Sequence, residues 1–226
     1  MNHALYLKIL FSVVVIFSAA FATHAQVRQE IDVQEWPTGT VTLSTGEILE
    51  GAVTYYRAQE IISVLDENGK LYSLSPVNVE QFEVENEYGS RRHTFKSIYW
   101  NQGKEFTDFK KPTFFEQLTD GNTTLLMRES YYKRNIETYT GDYKEGHVHD
   151  PMGYPIDAIF ADQIKPLYYV LKPDGDVVQL QNVRKDFLKY CGKRAGTIKS
   201  FVRKQKLRFE QPMDFTAIVN YYNTLL

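Results

Sequence analysis

The chain has 226 residues, 43% of them hydrophobic and 14% aromatic, with 26 Lys and Arg against 28 Asp and Glu. That apolar content argues against a disordered chain, and the single cysteine, Cys191, excludes an intramolecular disulfide. The near-zero net charge hides an asymmetry: twelve acidic and three basic residues lie between Gln26 and Ser90, and ten basic and one acidic between Val183 and Arg208. Two ends docking on each other, a basic end meeting an anionic partner, and a helix face turned to water all fit this split. Charge runs on helices most often do the last.

In chain order, residues 1–25 carry the three parts of a secretory signal peptide. Lys8 precedes "ILFSVVVIFSAAFA", fourteen uncharged residues, and "THAQ" supplies a small-residue exit. A spanning helix needs about 20 apolar residues, so this run is short, and no transmembrane helix is expected in the mature chain. Cleavage after Ala25 leaves Gln26 first, and cleavage after Ala22 is the competing site. No Cys follows the run, which argues against lipid anchoring. The expected location is exported: periplasmic, outer-membrane-associated or extracellular.

Residues 36–100 read as a small β-barrel-like region. "VTLSTGEILEGAVTYY" forms two strands around Thr45-Gly46, with Gly51 allowing a bend or bulge. "IISVLDENGKLYSLS" places Asn68-Gly69 between two strand-like runs, a strong hairpin signal because type I′ turns need positive φ. "VNVEQFEVE" alternates with a slip near Gln81, and "RRHTFKSIYW" is a further strand. Short strands curled by glycines predict a small barrel or strongly bent sheet.

Residues 101–182 repeat the hairpin pattern. Asp120-Gly121 divides "PTFFEQLTDGNTTLLMRESYY", and Pro173-Asp174-Gly175 divides "LYYVLKPDGDVVQLQ". Between them, residues 134–166 have little periodicity and read as a long irregular loop. Residues 183–226 are predicted helical. Asn182 is the N-cap and Gly192 the end of the first helix; Ile198, Phe201 and Val202 mark the face of a second. Pro212 opens a third, striped by Phe215, Ile218, Val219, Tyr222 and Leu226. Such short helices must pack on something. The fold class is therefore α+β: antiparallel strands and hairpins first, a short helical segment last.

"VTLSTGEILEGAV", with Leu43, Gly46, Gly51 and Val53 in register, resembles the first motif of Sm-like small barrels. The second motif of that family, tied to RNA binding, has no counterpart. The resemblance thus implies small-barrel geometry and no nucleic-acid partner. More broadly, "GTVTLSTGEILEGAVTY", "SPVNVEQFEV", Phe114 to Leu118 followed by Asp120-Gly121, and the run from "KDFLKY" to "VNYYNTLL" resemble exported Bacteroidota proteins of unassigned function. This implies an envelope protein and no particular reaction.

The search for chemistry ends on one stretch, "YKEGHVHDPMGY". Alternate residues of a strand share a face, so His147 and His149 could reach one cation, with Asp150 or Glu145 adding oxygen. Zinc is the cofactor this pattern would take, but a zinc site needs three or four protein ligands and no third is identifiable. The other reading is a polar surface loop ended by Pro151 and Gly153. Cys191, in "FLKYCGKR", has no activating neighbour and reads as a small buried residue. The expected function is a non-catalytic envelope protein, a binding or assembly module whose partner is another envelope protein or an anionic surface component. The alternative is a metal-dependent hydrolase built on His147, His149 and Asp150.

Overall fold

A computed structural model describes residues 33–85, 92–104, 109–135 and 160–226. The described residues make ten strands: β1 (Val33–Leu43), β2 (Ile48–Tyr56), β3 (Ile61–Leu65), β4 (Leu71–Leu74), β5 (Val79–Glu85), β6 (Arg92–Trp100), β7 (Lys111–Gln117), β8 (Thr124–Asn135), β9 (Phe160–Leu171) and β10 (Val177–Leu180). Three helices follow: α1 (Val183–Cys191), α2 (Ala195–Gln205) and α3 (Pro212–Asn223), with a 3₁₀ turn at Gly192–Arg194. All ten strands join one antiparallel, curled sheet in the order β10-β9-β8-β7-β6-β5-β1-β2-β3-β4. The α+β class expected from the sequence is the one observed.

Glycine geometry sets the curl. Gly39 and Gly51 face each other across β1 and β2, beside a register shift between Trp36 and Gly39. A Cβ on Gly51 would lie 2.0 Å from the Leu65 carbonyl oxygen, so the close approach of β2 to β3 needs a residue without one. The slip expected near Gln81 is a bulge at Glu80, where β1 skips from Thr42↔Gln81 to Leu43↔Val79. Curling brings Tyr72 and Leu74 of β4 onto the same cluster as Phe82 of β5 and Phe95 of β6. In the ladder, β3, β2 and β1 separate those strands.

The C-terminal strands bury the same face differently. Leu125, Met127, Tyr168, Val170 and Leu180 are covered by Phe187, Ile198, Phe215, Ile218, Val219 and Tyr222 of the helices. Strand alternation sends Leu126 and Tyr169 to the opposite face, where they meet Trp100 and Phe115. The helix boundaries follow the sequence signals. Asn182 accepts a hydrogen bond from the Lys185 amide at 3.1 Å, Asp186 accepts one from the Asn182 amide at 2.8 Å, and Gly192 takes φ +54° at the end of α1. Leu226 departs from its expected place: it lies past the end of α3 and is exposed.

The loop expected over residues 134–166 is shorter than that. β8 extends to Asn135 and β9 begins at Phe160, paired in unbroken register from Thr124↔Leu171 to Asn135↔Phe160. At their outer ends Lys133, Arg134 and Asn135 pair with Asp162, Ala161 and Phe160. Backbone pairing propagates there without the alternation that marks a half-buried strand. Pro112 and Pro166 lie within strands, each where the ladder is one-sided: β8 does not pair with β7 at Pro112, and β10 has ended before Pro166.

Candidate functional site

β7 and β8 pair at only two positions, Glu116↔Met127 and Gln117↔Leu126. Continued pairing would set Phe115 opposite Arg128 and Phe114 opposite Glu129. Instead, Arg128 and Glu129 reach the turn that joins β2 to β3, residues Arg57–Glu60. Arg57 pairs with Glu129 at 2.5 Å and also donates to the Gln34 side chain. Arg128 pairs with Glu60, and Lys111 Nζ lies 3.8 Å from the other Glu60 oxygen. The turn is thus a wedge held between strands that are five places apart in the sheet.

Its chemistry follows from burial. Glu60 is 9% exposed and sits at φ +53°, a backbone conformation that L residues visit rarely. Its Oε2 has no hydrogen-bond partner among the described residues. The Arg128 guanidinium lies 5.6 Å from the Phe115 ring centroid and 5.8 Å from that of Trp100, within cation–π range. It also hydrogen-bonds Tyr169, whose hydroxyl is pushed up by burial against the opposing pull of that cation. Burial likewise pushes the Tyr55 hydroxyl up to about 12, with Arg128 the largest opposing influence. Next to this network His93 Nδ1 lies 2.8 Å from Glu116 Oε1, with both side chains largely buried.

These groups enclose a cavity of about 50 Å³, lined in part by Gln34, Tyr55, Arg57, His93, Glu116 and Glu129. That volume admits water and little more; sites for organic ligands run to roughly 300–1,000 Å³. Glu60 and Glu129 face cations of the same chain, and Glu116 faces the His93 imidazole. The site can clamp two parts of one sheet together.

His147, His149 and Asp150 lie outside the described residues, as do the signal segment and its two cleavage positions. Among the described residues no group of three or more His, Cys, Asp or Glu is placed to hold a metal ion. Cys191 is buried, as expected, and burial raises its thiol to about 12. The Asp66 and Asp174 stretches are turns: Asp66 Oδ1 accepts from the Asn68 and Lys70 amides at 2.9 and 2.8 Å, and Asp174 Oδ1 from the Asp176 amide at 3.0 Å. No family model, curated protein or solved structure matches this chain.

Sequence reasoning missed the wedge. Glu60 and Arg128 are 68 residues apart, and each alone reads as an ordinary surface charge. One signal was available: Arg128 follows "TTLLM", an apolar strand run in which a charge at the next position needs a partner.

Proposed function

We propose that this chain is an exported, non-catalytic envelope protein that works as a binding or assembly module. The observation that carries this reading is the wedge. The densest buried cluster of ionisable groups among the described residues is occupied by its own ion pairs, and the space it encloses is water-sized. A cluster whose charged groups are mostly engaged with one another, in a space this small, supports a scaffold role, because a reacting centre leaves a nucleophile, base or cation open toward its substrate. The positively started apolar run that ends at Ala25 supports export. No helix among the described residues is long and apolar enough to cross a membrane, which fits a module held at the envelope by contacts on its surface.

Two measurements test the reading. N-terminal sequencing of protein recovered outside the cytosol is expected to begin at Gln26; full-length protein retained in the cytosol would overturn export. Metal analysis of protein purified without a polyhistidine tag is expected to find no stoichiometric metal. One zinc per chain, lost on His147→Ala together with His149→Ala, would overturn the non-catalytic reading in favour of a metal-dependent hydrolase.

A further inference from the structure

The two poles of charge lie at opposite ends of the sheet order. Residues 33–85, which form β1 to β5, hold nine carboxylates against two cations, a net of −7. The helical segment, packed on β8 to β10, holds ten cations between Arg184 and Arg208, on α1, α2, the 3₁₀ turn and the stretch after α2, and all ten are exposed. Among the described residues only Arg208 of these ten has an ion-pair partner, Asp214. Lys185 and Lys189 are four residues apart on α1, Lys199 and Arg203 are four apart on α2, and Lys206 follows α2 as its C-cap at φ +57°.

This arrangement weakens the helices themselves. Like charges four residues apart repel. In the first turn of α1 Arg184 and Lys185 outnumber Asp186, and α2 is entered through Lys193 and Arg194 with no acidic residue in its first turn, whereas Lys189, Arg203 and Lys204 lie in last turns, where the macrodipole favours them. Cations at a helix N-terminus oppose the macrodipole. An anionic surface outside the chain would offset both costs. The surface also lacks stacking platforms: Phe187 is buried, and Phe201 is stacked on Tyr221 with centroids 4.0 Å apart. Single-stranded nucleic acid is bound by a basic groove together with exposed aromatic rings, whereas a lipid headgroup surface needs only flexible cations.

We propose that the α1–α2 surface is an electrostatic docking face for a bilayer rich in anionic phospholipid, with the acidic strands held away from it. This rests on the module reading above and names its partner. The test is co-sedimentation of the full chain with vesicles of phosphatidylglycerol and phosphatidylcholine in equal parts, against phosphatidylcholine alone. Binding is expected to the anionic vesicles only, and to be lost between about 0.1 M and about 1 M salt, where the Debye length falls from ~10 Å to ~3 Å. The triple variant Lys199→Glu, Arg203→Glu, Lys206→Glu should bind on the order of 100-fold more weakly. Lys70→Glu, Lys104→Glu, Lys165→Glu, equal in net charge and placed on exposed strand and turn positions, should retain binding. Equal binding to neutral vesicles, an unaffected helix variant, or a single-stranded RNA bound more tightly than the vesicles would overturn the proposal. Because all three helix substitutions are at exposed positions, circular dichroism should match the parent; if it does not, the salt and lipid dependence of the parent chain decides alone. A zinc-loaded chain would defeat the module reading while leaving the vesicle result standing, so the two failures can be told apart.

Discussion

One face of one sheet is covered in two ways, and the contrast explains the molecule's layout. Over β1–β6 the face curls onto itself, and Phe82 stacks on Phe95 with ring centroids 4.5 Å apart and planes 8° from parallel. Over β8–β10 it stays open and is roofed by helices, with Phe187 and Phe215 meeting edge to face at 5.1 Å. A sheet with an apolar face must close it or cover it. Glycines and bulges at Gly39, Gly51 and Glu80 make the first solution available to the early strands. β8 and β9 pair in unbroken register over twelve residues, and so need the second. Where the solutions meet, β7 and β8 part after two pairs, and the charged wedge fills the seam between them.

The largest effect expected from breaking this contrast is on the roof. Truncation after Asn182 uncovers Leu125, Met127, Tyr168, Val170 and Leu180 together. Loss of soluble, folded protein is expected by circular dichroism and size-exclusion chromatography, since an apolar patch of that kind drives aggregation. A truncated chain that remains fully folded would show that the roof is dispensable. In the curled half the comparable change is Phe82→Ala, at a fully buried ring that also meets Phe114 edge to face at 5.2 Å. It should cost about 4 kcal/mol in urea unfolding.

The seam ranks next. Arg128→Met leaves Glu60 buried without its principal cation and should cost about 3 kcal/mol. Adding Glu60→Gln to that variant should recover a good part of the loss, because the uncompensated charge is then gone. If Arg128→Met proved neutral, the wedge would be a surface contact and the contrast would lose its hinge. Asn223 ties the roof to the hairpin beneath it: its side chain accepts from the Thr123 amide at 3.0 Å and donates to the Thr123 carbonyl at 2.9 Å. Asn223→Ala leaves the Thr123 amide without its partner and the Thr123 carbonyl with the Thr119 hydroxyl alone, and should cost about 2 kcal/mol.

The parts legible in the sequence were those specified locally. Asn182 and Gly192 bound a helix because a cap and a left-handed stop act within a few residues, and Asn68-Gly69 turned the chain for the same reason. What joins distant segments was not legible. The return of β5 to β1 leaves no mark on either strand, and the extension of β8 and β9 carries no alternation to read. The wedge depends on where β7 and β8 part, which is decided by the curl as a whole. Attention to "GHVHD" followed composition, whereas Arg57, Glu60, Arg128 and Glu129 came together only through the tertiary fold.

The smallest expected effect concerns Cys191, which lies in the roofed core alone and so reports on it separately from the curled half. Burial raises its thiol from 9.0 to about 12. The sign follows: below about pH 9 both folded and unfolded chains keep the proton and stability is unaffected. Between about pH 9 and about pH 12 the unfolded chain loses it first, and stability falls as pH rises. Tyr55 and Tyr168, raised from 10.0 to about 12 chiefly by burial, act in the same direction over the upper part of that window. Near pH 8 the native thiol should resist a water-soluble thiol reagent and react only when the roof opens. If the two halves open as one unit, Phe82→Ala should accelerate labelling by the factor its lost stability dictates, although Phe82 lies in the other core. An unchanged labelling rate would mean that the roof opens by itself, and that the seam separates two units of stability.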